Sequence, residues 1–277
     1  MGLQINTNEL AIAAQRNLEN TQKRLSTTVQ RLASGSKIVQ ASDDPAGLAI
    51  SDRLNATIRS LGAAVKNAQD GVSLIQIYEG GTTEINNMAV RIRELLMQSS
   101  TDTVGDRERS MINNEVVQLK EEVDRVARST KYNGRELLSG EVIQMEFQVG
   151  TENNPEVDRI KFAPGDTNMT LSALGMGDVD ASNKEAAQNS LSKVDEALNR
   201  VNDIRARVGS AQNRLQTTIS AQSIFQENLL AAKSRIKDAD LAVESSNLAK
   251  ETILRKAGVA VLTQANETPA LALQLLR

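Results

Sequence analysis

Leucine returns at seven-residue intervals near both ends of this 277-residue chain, at Leu18, Leu25 and Leu32 and again at Leu241, Leu248 and, two heptads on, Leu262. A stripe this narrow fits the seam of a coiled coil rather than the broad apolar face of a helix lying on a globular core. Asn, Gln, Ser, Thr and Ala fill the intervals, so each terminal helix is weak alone and gains stability only against another helix. Four more leucines, Leu271, Leu273, Leu275 and Leu276, lie in the last seven residues. Chain ends fray unless something holds them, so ends patterned for packing are expected to pair with each other and then with further copies. On the same ground, residues 1–40 and 240–277 are expected to be disordered in the free subunit and helical after assembly.

Composition narrows the functional classes. A net charge of −3 with both signs interspersed provides no general attraction to nucleic acid or to an anionic membrane. The chain has no His and no Cys, which removes the physiological-pH general base, the thiolate nucleophile and the common zinc ligands together. Tyr78, Tyr132, Phe147, Phe162 and Phe225 are its only aromatics, too few for the usual aromatic-lined ligand pocket. Without disulfides, an extracellular existence would depend on packing or assembly. No stretch approaches the roughly 18 to 20 apolar residues of a membrane span, and the start lacks the basic and apolar regions of a secretory signal, so any export is expected to use another route. Met1-Gly2 fails the myristoylation pattern because Asn6 stands where Ser or Thr is required. Three glycosylation sequons begin at Asn55, Asn168 and Asn266, of which the first lies in a strong helical pattern.

The prolines divide the remainder. Pro45, Pro155, Pro164 and Pro269 leave two long proline-free stretches, both with helical periodicity. Asp44 is expected to cap a helix whose first position is Pro45. Leu54, Ile58, Leu61, Val65, Ala68, Val72 and Ile75 then step by fours and threes, and Ile85, Ala89, Ile92 and Leu96 resume the stripe. This predicts a single helix reaching toward Gln98, on the order of 80 Å long at 1.5 Å per residue. Ile112, Val116, Leu119, Val123 and Val126 mark a shorter one. From Met145 to Val149 the period changes to two, with Ile160 and Phe162 as a candidate partner strand, which predicts a small β-hairpin. Ser182 and Glu185 form a candidate capping box. The helical stripe after it passes through Leu198, Val201, Ile204, Leu215, Phe225 and Leu229 to Val243, with a local stammer at Leu198-Val201-Ile204.

The predicted fold is mainly α: a long antiparallel helical bundle with a small β-hairpin element and with the N- and C-terminal helices paired as a coiled coil. The expected division is a terminal domain of residues 1–43 plus 236–277 and a bundle of 44–235, the β element falling at about 141–180. Leu54, Ile58, Leu61, Val65, Val72, Ile75, Leu215, Phe225 and Leu229 are the expected bundle core. No phosphate loop, nucleophile elbow, metal constellation or cofactor motif is present, so no catalytic, cofactor-binding or metal residue is assigned. Asp43-Asp44 reads as a helix cap in preference to a cation site. Arg91 and Arg93 read as a solvated helix face in preference to an anion clamp.

At this point a family pattern emerges. Leu32-Ala33-Ser34-Gly35, followed by the run from Ala41 to Ser51 containing Asp43-Asp44-Pro45-Ala46-Gly47, resembles the N-terminal signature of bacterial flagellin. Arg91-Ile92-Arg93-Glu94-Leu95, Glu122-Val123-Asp124-Arg125-Val126-Ala127 and Tyr132-Asn133-Gly134-Arg135 continue it. Gln212-Asn213-Arg214-Leu215, the run from Ser234 to Asp240, Gln264-Ala265-Asn266 and the terminal Leu275-Leu276-Arg277 complete it on the return leg. The match spans nearly the whole chain but lacks the variable outer region that many flagellins carry between these halves.

The resemblance implies a non-enzymatic structural subunit of the flagellar filament, serving swimming motility. It implies export unfolded through the flagellar type III apparatus, addition at the distal tip and an extracellular location. The implied partners are further copies of itself and other flagellins, an export chaperone, and the cap and junction proteins, with no nucleic acid and no membrane insertion. In the family the terminal helices form an inner tube and the bundle an outer one, so Leu18, Leu25, Leu32, Leu241, Leu248 and Leu262 are the expected inner-tube contacts. It also implies a contact for Toll-like receptor 5, or for the next subunit along the filament, at Arg91, Leu95 and Glu115. Leu96-Met97 departs from the family pattern beside that site. The closest alternative is the hook–filament junction protein, which shares related termini; a cytosolic helical scaffold or enzyme is the alternative of a different class. Gln212-Asn213-Arg214-Leu215 and Ser234-Arg235-Ile236-Lys237-Asp238-Ala239-Asp240 favour flagellin over both.

Overall fold

The computed structural model describes residues 8–141, 144–163 and 168–274, with the backbone alone over 268–274. The expected terminal contacts Leu275 and Leu276, and the side chains of Leu271 and Leu273, therefore lie outside the described residues. The elements in chain order are α1 (Glu9–Ser34), α2 (Pro45–Ser99), α3 (Asp106–Ser129), β1 (Lys131–Tyr132), β2 (Arg135–Glu136), β3 (Met145–Gln148), β4 (Arg159–Phe162), α4 (Lys184–Lys237) and α5 (Leu241–Gln274).

Local chemistry sets the helix ends. The Asp44 carboxylate accepts the Gly47 N–H at 2.9 Å and opens α2 at Pro45, the cap and first position that the sequence predicts. Asp43 turns the other way and accepts the Val39 and Gln40 N–H groups at 3.0 and 3.1 Å. Both carboxylates are thus occupied by backbone amides. Gly47 is required by space, since a Cβ there would run into the Asp44 carboxylate and Ile38 Cδ1. At the far end of α2, the buried Arg109 of α3 donates to the carbonyls of Ser99 (3.1 Å) and Thr101 (2.7 Å) and to Asp106 Oδ1 (2.9 Å). A cation thereby satisfies carbonyls that a helix C-terminus leaves open.

Two expectations are corrected here. The cap of α4 is Asn183, whose Oδ1 accepts the Ala186 N–H at 2.8 Å, while the Ser182 hydroxyl is engaged with Asp180. The predicted continuous helix to Val243 is broken at residues 238–240. There Asp240 accepts the Ala242 and Val243 N–H groups at 2.9 and 3.2 Å and starts α5. A helical stripe can persist across such a break because three residues are close to one turn.

The chain divides into two compact units, Met1–Ala56 with Asn228–Arg277 and Thr57–Glu227. The expected cuts at 43/44 and 235/236 follow helix ends, whereas here the first turns of α2 and the last turns of α4 belong with the terminal unit. Lys233 Nζ donating to Asn55 Oδ1 at 2.9 Å is one of the ties that hold them there.

In the central unit α2 and α4 run antiparallel, with Arg93 on Asp195 and Gly71 against Leu215, and Ser99 bonded to Ala181 just before α4. Ile75, Ile85 and Ile92 of α2, Val116 and Val123 of α3, and Val194, Val201 and Leu215 of α4 are buried in one core. The predicted hairpin is present as β3 and β4, antiparallel with Met145 opposite Phe162. Phe162 meets Tyr78 edge-on, with ring centroids 5.7 Å apart. A second, two-residue pairing, β1 with β2, turns at Asn133-Gly134, both at positive φ (49° and 79°).

Candidate assembly interface

In the terminal unit α1 and α5 pair antiparallel. Arg31 lies by Glu244, Thr28 by Glu251 and Leu18 by Gly258, and the backbone of Lys37 donates to Lys237 O at 2.7 Å. Gly258 lets α1 come close, since a Cβ placed there would lie 3.3 Å from Leu18 Cδ1.

The seam differs in chemistry from a leucine zipper. Among the described residues its buried positions are Thr21, Leu25 and Thr28 on α1 and Glu244, Glu251 and Ala265 on α5. Thr28 Oγ1 donates to Glu251 Oε2 at 3.0 Å; Arg31 stands 3.7 Å from Glu244, and Arg24 stands 4.0 Å from Glu251. Carboxylates in a helix seam cost desolvation and contribute little net stability, but they penalise wrong pairings. The terminal hairpin is therefore specific rather than strong.

Of the six expected leucines, Leu25 is buried, Leu18, Leu32, Leu248 and Leu262 are half-buried, and Leu241 is 59 % exposed. Leu241 is the first residue of α5 and lies at the end of the seam, where α1 stops at Ser34. Around the seam, Leu10, Ile12 and Val29 of α1 and Val243, Ile253, Val259 and Val261 of α5 are exposed. Two helices cover only the facing stripe of each other, and apolar surface on this scale marks an interaction surface.

Within the central unit Ile58, Leu61, Ile75 and Leu215 are buried and Val65 and Val72 half-buried, whereas Phe225, an expected core residue, is 49 % exposed. Leu54 and Leu229, both in the terminal unit, are half-buried. The reason for Phe225 is a change of stripe. Gln226 is the α4 residue nearest Gly62 of α2, with Nε2 3.7 Å from where a Cβ would sit, which turns Phe225 about 100° away.

Leu95 is also corrected. It is 2 % exposed and belongs to the core, so it presents no surface beside Arg91. Arg91 donates to Glu115 Oε1 from Nε and Nη2 (3.0 and 2.9 Å) and to Glu94 (3.2 Å), and these hydrogen bonds, Glu115 first, push its guanidinium pKa further up. Arg93 Nε donates to Asp195 at 2.6 Å. Both guanidinium groups thus brace neighbouring carboxylates rather than form an anion clamp. Among the described residues no cluster of three metal-ligating side chains occurs, and no helix is long and apolar enough to cross a membrane.

The family model for the bacterial flagellin N-terminal helical region matches residues 5–142, and that for the C-terminal helical region matches residues 191–276. The chain belongs to the bacterial flagellins. It is 39 % identical to a flagellin of Halalkalibacterium halodurans over 273 residues, covering 99 % of each. It is 36 % identical to a flagellin of Bacillus subtilis over 308 residues, covering 99 % of this chain and all of that one. The flagellar filament 33 kDa core protein of Treponema phagedenis is 37 % identical, again over 99 % of each chain. The crystal structure of Bacillus cereus flagellin superimposes with a TM-score of 0.50 at 26 % identity, covering 57 % of this chain and 88 % of that one. A putative hook-associated protein from Vibrio parahaemolyticus shares the fold alone, with a TM-score of 0.59 at 13 % identity. This flagellin is accordingly a structural subunit that is exported and polymerises into the extracellular flagellar filament for motility. It is a short form without the variable outer domains.

Proposed function

We propose that the α1–α5 hairpin is the inner-tube element of the filament and that residues 57–227 form the outer tube. The observation that carries this reading is the exposed apolar surface on both sides of a half-polar seam, which further copies of the same hairpin would bury. In this reading Leu18, Leu25, Leu32, Leu248 and Leu262 close the hairpin, and the exposed Leu241, Ile253 and Val261 face neighbouring subunits. The role is structural throughout, with no catalytic step. An export chaperone, the cap and the junction proteins are the further partners, each meeting the same terminal surface before or at assembly. In this reading receptor recognition rests on Arg91 and Glu115 without Leu95, and therefore on a smaller apolar contact than the sequence pattern implies.

Seeded polymerisation followed by electron microscopy tests the assignment. Ile253→Asp and Val261→Asp are expected to abolish elongation from filament fragments while leaving the melting of the central unit unchanged. Normal growth of both variants would remove the inner-tube assignment. For the receptor, an Arg91→Ala subunit that binds Toll-like receptor 5 with unchanged affinity, or a folded wild-type subunit that does not bind at all, would leave Arg91 with a bracing role only.

A further inference from the structure

Helix α5 runs from Leu241 to Gln274 with a proline, Pro269, inside it. A proline within a helix has no N–H to give to the carbonyl four residues earlier, here that of Ala265. The donor comes from the other end of the chain. Asn8, the residue before α1, donates its side-chain Nδ2 to Ala265 O at 2.7 Å, across 257 residues of sequence. The second atom of the same amide is engaged as well: Oδ1 accepts the Ala11 N–H at 3.1 Å and caps α1. Ala265 itself is 8 % exposed, so its surroundings offer little water in compensation.

The consequence is a fixed register. A seven-residue repeat admits pairings displaced by one heptad, and both partners carry leucines at that spacing, broken on α5 at Arg255, so the seam's polar contacts must select among them. Pro269 is the only proline in α5, so before the open carbonyls of its last turn the helix has one interior carbonyl deprived of its donor, that of Ala265. We propose that Asn8 is a register-setting residue of the terminal hairpin, its amide supplying the hydrogen bond that Pro269 withdraws from Ala265 while also capping α1. One side chain thereby makes the start of α1 and a single point on α5 form together. The inference rests on the pairing of α1 with α5 and not on where the hairpin sits in a filament.

A double-mutant cycle read by a cross-link tests it. The chain has no cysteine of its own, and a Cβ at position 258 would lie 3.9 Å from Leu18 Cβ, within the span of a disulfide. Leu18→Cys with Gly258→Cys therefore reports the register. Into this background go Asn8→Asp, which keeps the capping acceptor but loses the donor, and Pro269→Ala, which returns an N–H to α5. The fraction of intramolecular disulfide in a glutathione buffer is measured on the soluble subunit and on seeded filaments. With Pro269 in place, Asn8→Asp is expected to weaken closure by about 2- to 10-fold, the factor that one net hydrogen bond represents. In the Pro269→Ala background the loss is expected to fall below about twofold.

Equal loss in both backgrounds, or no loss in either, overturns the proposal. Asn8→Ser caps α1 but cannot reach Ala265, so it must behave like Asn8→Asp; an effect of Asp alone would assign the loss to charge and overturn the proposal too. A disulfide that forms in no background, in seeded filaments as well as in the soluble subunit, would remove the register itself. Should the cross-link follow the cycle while filament growth is indifferent to closure, the register role stands and the inner-tube assignment falls.

Discussion

The two units solve opposite problems with similar helices. In the central unit α2, α3, α4 and the connecting segment with its hairpin enclose isoleucine, valine, leucine and one aromatic pair, so each helix has neighbours on more than one side. In the terminal unit α1 has α5 for its seam, and that seam buries Thr21, Thr28, Glu244 and Glu251 alongside Leu25. The difference teaches that helix length and periodicity do not decide which part of a chain folds by itself. What decides is how many faces of each helix find an apolar partner within the same chain. A unit with one covered face per helix is specific but weak, and weakness suits a subunit that is exported before it assembles.

The largest expected effect contrasts the two units directly. Backbone amides of the central core are expected to exchange through global opening, while those of residues 8–40 and 241–267 exchange in the free subunit with protection near zero. After seeding into filaments both sets are expected to be protected. Hydrogen exchange on a verified monomer checks this, and strong protection at both chain ends would break the comparison by showing that the terminal hairpin is already a folded core.

Next in size is a pair of leucine deletions. Leu61 is 1 % exposed, and Leu61→Ala is expected to destabilise the free subunit by roughly 2 to 5 kcal/mol. Leu262 is half-buried in the terminal seam, and Leu262→Ala is expected to leave subunit melting within about 0.5 kcal/mol of wild type while raising the concentration needed for polymerisation. Equal losses of subunit stability in thermal melts would again merge the two units.

A smaller effect tests how a central helix is closed. Arg109 is buried and hydrogen-bonded to two carbonyls beyond and at the end of α2. Arg109→Met keeps much of the volume and removes the donors, and it is expected to cost about 1 to 3 kcal/mol in chemical unfolding. A neutral result would mean that solvent replaces the cation at that helix end.

Much of the central unit was legible because its signals are local and redundant. The four-and-three stripe and the alternation at Met145 to Val149 each state one element, and β3, β4 and, with its Asp44-Pro45 start in the terminal unit, α2 appear where the signals place them. The departures have different causes. Asn183 and Ser182 are both good caps one residue apart, and only the capture of Ser182 by Asp180 decides between them. The break before α5 hides within a continuing stripe, although Asp240 was available as a capping signal. The Asn133-Gly134 turn is a hairpin signal carried by its two residues alone, set between strands too short to show an alternation. Phe225 and Leu95 depend on which side of α2 and α4 the neighbours lie, a tertiary fact that no single-helix pattern contains. The polar seam was the least legible feature, since Glu244 and Glu251 sit where a leucine repeat predicts apolar residues.

The smallest effect is electrostatic and reads the boundary between order and disorder at a single carboxyl. Asp43 is held below the ordinary carboxylate pKa chiefly by the backbone N–H of Val39, then by that of Gln40, with the nearby Arg31 charge adding to them. Those two amides lie within the stretch expected to be disordered in the free subunit, so the lowering can exist only where the turn has formed. In the free subunit Asp43 should therefore titrate as an ordinary aspartate, above its position in the ordered turn. Asp102 of the central unit is lowered by its hydrogen bonds from Lys184 and should titrate low before assembly as well as after. The sign follows from linkage: a carboxyl whose pKa is depressed in the ordered state contributes stability above its ordinary pKa, and that contribution is lost as pH falls through the depressed value. Acid should thus loosen the assembled Asp43 turn without touching the same turn in the free subunit, and Asp43→Asn should remove that part of the filament's acid sensitivity. Carboxyl titration by NMR on the soluble subunit, with acid-induced depolymerisation on the filament, checks both halves. A depressed Asp43 in the free subunit would place the order–disorder boundary before residue 39 and shrink the region that waits for assembly.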